Sequence, residues 1–196
     1  MADAPKSGIA ENVPYGTTTI SARREARLIH AILFTSNSGF TKQYAELLSK
    51  ATGLPAYNTA NSIPPAMRGK PILYLGWLMA GCIQGYKKAA ASYDVRAVCQ
   101  VGMASFQPEL NEQARKKYKL TVPVFYLQGG FDINRLSGIY KLMMQVMSKK
   151  IIADLSKVET RTPEQDDIYQ MATVGRNCVN AENLREVLAW IETIKD

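Results

Sequence analysis

Short apolar runs that alternate with helix-patterned segments constrain this chain more than any other feature. Leu28–Phe34, Pro71–Gly76, Val95–Val101 and Val122–Leu127 are rich in branched and aromatic residues, and Pro55–Asn58 is a shorter, weaker run. Such runs suit strands covered on both sheet faces. Gly39–Thr52, Gly81–Tyr93 and Pro108–Lys117 carry helical patterns between them, and Ile63-Pro64-Pro65 breaks the chain before the third strand. Leu136–Leu155 reads as a later helix. The alternation predicts an α/β fold around a parallel, doubly wound sheet.

At 196 residues, of which 46% are hydrophobic, the chain has enough apolar material for one folded domain. Residues 28–196 are assigned to that domain, and residues 1–27, Ala10–Arg27 above all, to an arm or linker. The apolar runs fall short of a bilayer span, and Met1–Thr19 lacks the pattern of a signal peptide. A cytoplasmic location is therefore expected. The three cysteines, Cys82, Cys99 and Cys178, are widely spaced, as expected of reduced thiols rather than a disulfide framework or metal site. His30, the only histidine, falls within the first predicted strand, where a structural role is expected. Zinc sites and serine–histidine or cysteine–histidine pairs are thereby disfavoured, and no metal is expected.

The first strand runs into the turn Ser36-Asn37-Ser38-Gly39-Phe40-Thr41, and a helix follows at once. Backbone N–H groups and a helix N-terminus then converge on one point, which suits a phosphate. Ser36, Ser38 and Thr41 add hydroxyls, and Gly39 permits close backbone approach. The alternative for the same residues is a helix cap made by Ser36 or Ser38.

This turn resembles the flavodoxin pattern Thr/Ser-x-Thr/Ser-Gly-x-Thr, with Phe40 where Asn or Gln is commoner. The resemblance implies a flavodoxin-like doubly wound, five-stranded parallel sheet of order 2-1-3-4-5, and flavin mononucleotide (FMN) as cofactor. The phosphate would be held by Ser36, Asn37, Ser38, Gly39, Phe40 and Thr41. Two further strand ends look fit for the flavin ring. Gly76 is followed by Trp77, Leu78, Met79, Ala80 and Gly81, a loop in which Trp77 would stack on or shield the ring and Met79 would pack against it. The alternative is that Trp77 and Met79 merely plug the end of the sheet. Gly102, Met103, Ala104 and Ser105, before Phe106, would meet the pyrimidine edge. Gln128-Gly129-Gly130-Phe131-Asp132 is a third glycine-bearing strand end.

From Val124 onward the chain resembles the flavodoxin-domain branch that includes menaquinone-dependent protoporphyrinogen dehydrogenase. The similarity rests on Phe125–Asp132 and the methionine-rich helix containing Met143, Met144 and Met147, and it implies a polar loop over Lys157–Gln170 and a final helix over Asn183–Lys195. It implies an FMN-dependent oxidoreductase linked to a quinone or porphyrinogen. A non-enzymatic electron carrier and a flavin-free interaction module are the alternatives. No side chain stands out as a general acid or base.

The net charge of +7 contrasts with the acidity usual in electron-shuttling flavodoxins. It favours anionic lipid, acidic proteins or a carboxylate-bearing substrate. The partners expected are a redox protein or a small-molecule or quinone substrate, with peripheral contact at the inner face of the membrane and a homodimer also considered. Nothing accompanying Arg115–Lys119 resembles a nucleic-acid motif, and no nucleic acid is expected. Leu136–Leu155 is expected to face the core with its lysines solvated, a surface amphipathic helix being the alternative.

Overall fold

Ala31–Thr35 (β1) is buried on both faces, as its continuous apolar sequence requires. In a computed structural model describing residues 28–136 and 138–194, it lies inside a mostly parallel sheet. The residues assigned to the N-terminal arm fall outside the described part. Ala56–Asn58 (β2) pairs with one side of β1, and Pro71–Met79 (β3) with the other. Asp94–Gly102 (β5) and Val124–Gln128 (β6) complete the order β2-β1-β3-β5-β6, every neighbouring pair being parallel.

Helices cover both faces. On one, Phe40–Thr52 (α1) and Arg185–Thr193 (α6) bury Tyr44, Leu48, Val187 and Ile191 against Ile32, Leu73, Leu75 and Cys99. On the other, Tyr86–Ser92 (α2) and Pro108–Tyr118 (α3) set Ala89 and Ala114 against Leu33, Ile72, Tyr74 and Val98. Adjacent residues such as Ile32 and Leu33 serve opposite layers because strand side chains alternate.

The structure departs from the sequence expectations in several places. The main sheet has six strands, because β3 continues beyond Gly76 and folds back on Cys82–Ile83 (β4), an antiparallel partner. Trp77–Met79 are thus strand rather than loop, and the helix expected from Gly81 begins only at Tyr86. Lys157–Gln170 is not all loop, since Pro163–Thr173 forms a helix (α5) capped by a reciprocal Thr162–Gln165 box. His30 precedes β1 and is exposed, with Nδ1 3.2 Å from the Leu28 carbonyl oxygen.

Gly138–Leu155 (α4) and α5 form a small lobe with the antiparallel pair Gly130–Phe131 (β7) and Arg176–Asn177 (β8). Its own core is Phe131, Leu136 and Met144, with Ile133 and Met171 packed beside them. The expected core-facing character of α4 does not hold. Only Met144 and Ser148 are buried, while Ile139, Leu142, Met143 and Val146 face solvent. The lobe is too small to cover more than one narrow strip of an 18-residue helix. Among the described residues, no helix is long and apolar enough to cross a membrane.

Candidate functional site

The turn after β1 leaves several donors unused. Gly39 takes the N-cap position of α1 with φ 92°, a left-handed conformation natural to glycine. The Lys42 N–H donates to Ser36 Oγ at 3.3 Å, and the Gln43 N–H to the Gly39 carbonyl at 3.0 Å. The capping alternative is therefore met in part by Ser36, although Gly39 itself has no side chain to cap with. The amides of Phe40 and Thr41, earlier in the helix, have no partner among the described residues. Asn37 Nδ2 is buried and likewise has no hydrogen-bond partner there. A buried amide donor without an acceptor is costly, and it shares this turn with helix-end amides that also lack one among the described residues.

Phe40 does not plug this turn. Its ring is buried in the core at 4% exposure, beneath the Arg135 guanidinium, which lies 5.7 Å from the ring centroid. Gly129 makes that packing possible, since a Cβ there would come within 2.7 Å of Val101 Cγ1 and 3.2 Å of Phe40 Cβ.

Beside the turn lies a cavity of about 310 Å3. Ser38, Phe40 and Thr41 line it from α1 and its approach. Trp77, Leu78, Met79, Ala80 and Gly81 line it from the β3–β4 hairpin, and Gly102, Met103 and Ala104 from the end of β5. Of the other residues expected at the site, Ser36, Asn37 and Gly39 shape the turn without lining the cavity. Ser105 lines a neighbouring cavity instead.

These walls are fixed by polar tethers. The Lys117 ammonium donates to the Gly81 carbonyl at 2.9 Å and reaches Cys82 Sγ at 3.0 Å, while the Ile83 N–H donates to the Tyr118 hydroxyl at 2.8 Å. The hairpin is thereby held to the end of α3. The Lys117 hydrogen bond also holds the Cys82 thiol below its ordinary range. The Tyr126 hydroxyl donates to the Ala104 carbonyl at 2.7 Å, and the Gly129 N–H to the Gly102 carbonyl at 2.7 Å, fixing the loop after β5. Burial pushes the Tyr126 phenol far up, so it remains a donor. Tyr44 donates to the Gln128 carbonyl at 2.5 Å and accepts from Asn183 Nδ2 at 2.6 Å, tying α1, β6 and the approach to α6 together.

Sequence reasoning found only part of the fourth wall. Gly129, Gly130 and Phe131 at the end of β6, with Leu136, Tyr140, Met144 and Met147 around α4, close the cavity. Tyr140 meets Trp77 edge-to-face, with centroids 5.1 Å apart and planes at 90°. The Gly129–Phe131 strand end was visible as a candidate. Tyr140 carried no signal, because nothing in a helical sequence says which strand end it will cover.

The described cysteines are free, and Cys99 is fully buried, its thiol pushed up by desolvation. Among the described residues, no group of three or more His, Cys, Asp or Glu side chains is arranged to hold a metal ion. The cavity has Ser38 and Thr41 of the turn at one end and largely apolar walls with aromatic and thioether groups at the other. Comparison with known proteins gives no match to any family model, curated protein or solved structure.

Proposed function

We propose that the protein binds FMN in the cavity between α1, the β3–β4 hairpin and α4, and works as a flavodoxin-like oxidoreductase. The observation that carries this reading is that, among the described residues, the Phe40 and Thr41 amides at the cavity's edge lack partners, as does the buried Asn37 amide of the same turn. A phosphate would accept from these donors and from the Ser38 and Thr41 hydroxyls. The turn contains no Lys or Arg, so neutral dipoles would do most of the holding.

The position in the sheet supports the same reading. β2 and β3 lie on opposite sides of β1, so the chain reverses direction there, and the cavity sits beyond the carboxyl ends of β1, β3 and β5. Ligands of open α/β sheets bind at such points; flavodoxin with FMN is itself the standard instance of this rule. FMN bound here would supply electron or hydride exchange at its N5 position. The chain's own residues would supply placement. Trp77 and Tyr140 would present aromatic surfaces to the ring, Met103 and Met144 would pack around it and exclude water, and the Tyr126 tether holds the loop after β5 in place.

A cavity adjoining this site favours an enzyme acting on a small molecule, with quinone or porphyrinogen chemistry retained from the sequence resemblance. The exposed apolar residues of α4 favour a second reading, an electron carrier that meets a redox protein or a membrane surface there.

Titration of flavin-free protein with FMN tests the cofactor directly. Saturable quenching of flavin fluorescence at one FMN per chain is expected. Ser38→Asp should weaken binding by about tenfold or more, because it sets a carboxylate beside the phosphate. Absence of saturable quenching in the wild-type protein would overturn the proposal.

A further inference from the structure

A second cavity, of about 370 Å3, adjoins the first and shares Met103, Ala104, Phe131 and Met144 with it. Its remaining apolar wall comes from the lobe, where α4 contributes Ile151 and α5 contributes Ile168, Met171 and Ala172. Three methionines give the lining unbranched, polarizable surfaces that adapt to flat or irregular apolar ligands. Neutral hydrogen-bonding groups, Gln107 and Gln128 among them, stand along its border.

The charge of this cavity is opposite to that of the chain. The net charge of the protein is +7, yet the lining contains two carboxylates, Glu164 and Asp167, and neither Lys nor Arg. Asp167 is already paired with Arg176 at 3.0 Å. Glu164 has no ion-pair partner among the described residues, and hydrogen bonds from its own backbone and from Thr162 keep its carboxyl below the ordinary value. It is therefore an anion at neutral pH that no side-chain cation among the described residues neutralises. A ligand carboxylate would be repelled here, and a cationic group would be drawn to the rim.

We propose that this second cavity is a ligand-binding chamber beside the flavin site, and that it takes an apolar ring compound bearing an amine rather than a carboxylate. The assignment rests on the proposed flavin site for its meaning, because the shared wall of Met103, Phe131 and Met144 would hold such a ligand against the cofactor. It runs against the carboxylate-bearing substrate that the overall basic charge suggests.

Two probes of matched shape and opposite charge provide the test: 2-naphthylmethylamine and 2-naphthoate. Each is titrated calorimetrically into the full chain, once loaded with FMN and once flavin-free. The amine should bind about fivefold more tightly than the carboxylate, a modest preference because Glu164 is exposed. Ile151→Trp should abolish amine binding by filling the chamber. Glu164→Lys should reverse the preference, and its exposed position leaves folding intact if the tryptophan variant fails to fold. Both folded variants should take up FMN as the wild type does. Equal affinity for the two probes, tighter binding of naphthoate, no saturable binding of either, or amine binding unchanged in both variants would each overturn the proposal. Loss of FMN uptake in the wild type would instead strike the flavin reading, while the flavin-free titrations still report on the chamber.

Discussion

Tyr74 joins three parts of the molecule through one hydroxyl. Thr35 Oγ1 lies 2.7 Å from it, Thr59 Oγ1 lies 2.6 Å from Thr35, and the phenol donates to the Gln84 carbonyl at 2.6 Å. β1, the segment after β2 and the end of the β3–β4 hairpin are thus linked beneath the site. Tyr74→Phe leaves Thr35 and Gln84 each short of a partner, and should cost about 1–2 kcal/mol at neutral pH. Burial pushes the Tyr74 phenol up to about 12, against the opposing pull of the Thr35 hydrogen bond. The folded state therefore favours the neutral phenol. Its contribution is complete below pH 10 and is lost as the pH rises toward about 12. That loss amounts to about 2–3 kcal/mol and exceeds the gap at neutral pH, so the stabilities of the wild type and Tyr74→Phe should converge as the pH rises and then cross. Urea unfolding at neutral pH and above pH 10 checks this, and a gap that stays constant would count against it. Tyr44 and Tyr126 are also pushed up by burial, so part of the alkaline decline will persist in the variant. Residue type was a fair guide to the shape of the turn after β1, where hydroxyl, amide and glycine are all local. It gave no hint of the Tyr74 network, because a tyrosine inside an apolar strand looks like any other core residue until its distant partners are known.

The β3–β4 hairpin shows how far element-level reading reaches. The apolar run was correctly read as a strand, but its end was misplaced. Residues expected in a glycine-flanked loop pair across the hairpin as Leu78 with Ile83 and Met79 with Cys82. The turn lacked the usual Asn-Gly signal. Ala80 and Gly81 instead make the two-residue connection with φ 48° and 67°, a conformation that alanine adopts at a cost. Ala80→Asn should relieve that cost, since asparagine tolerates the left-handed region and favours such turns, and should stabilise the protein by about 0.5–1 kcal/mol. A raised midpoint of thermal unfolding is the expected result, and a lowered one would mean that the hairpin is not closed as seen. The helix α5 was missed for the opposite reason. Its capping box, Thr162 with Gln165, and Pro163 in the first turn were all present in the sequence, but the family resemblance set a polar loop there. Even so, Trp77–Gly81 and, of the loop after β5, Gly102–Ala104 but not Ser105 converge on one cavity, because a parallel sheet brings successive strand ends to the same edge.

At the scale of the whole molecule, the decisive asymmetry is that α4 turns much of its apolar surface outward. A single sequence reports how apolar a helix is without reporting what stands opposite it, which is why a core-facing α4 was expected. The helix has only a small lobe core to pack against, and that core admits Met144, which is 8% exposed. Leu142 and Val146 remain 63% and 65% exposed, on the same side as Ile139 and Met143. Position along the helix should therefore outweigh residue hydrophobicity in deciding what a substitution does. Met144→Ala removes a buried thioether from the lobe core and should cost about 2 kcal/mol or more. Leu142→Glu, a chemically harsher change, should alter the stability of the isolated chain by no more than about 0.5 kcal/mol, because the side chain is already in water. It should also lower any tendency of the protein to self-associate or adsorb, since it breaks an exposed apolar patch. Chemical unfolding of the two variants at low protein concentration, with sedimentation in parallel, separates these effects. If Leu142→Glu proved as destabilising as Met144→Ala even in dilute monomer, α4 would have to pack through the face that the structure leaves open, and the cavity walls built on Tyr140, Met144 and Met147 would need to be redrawn.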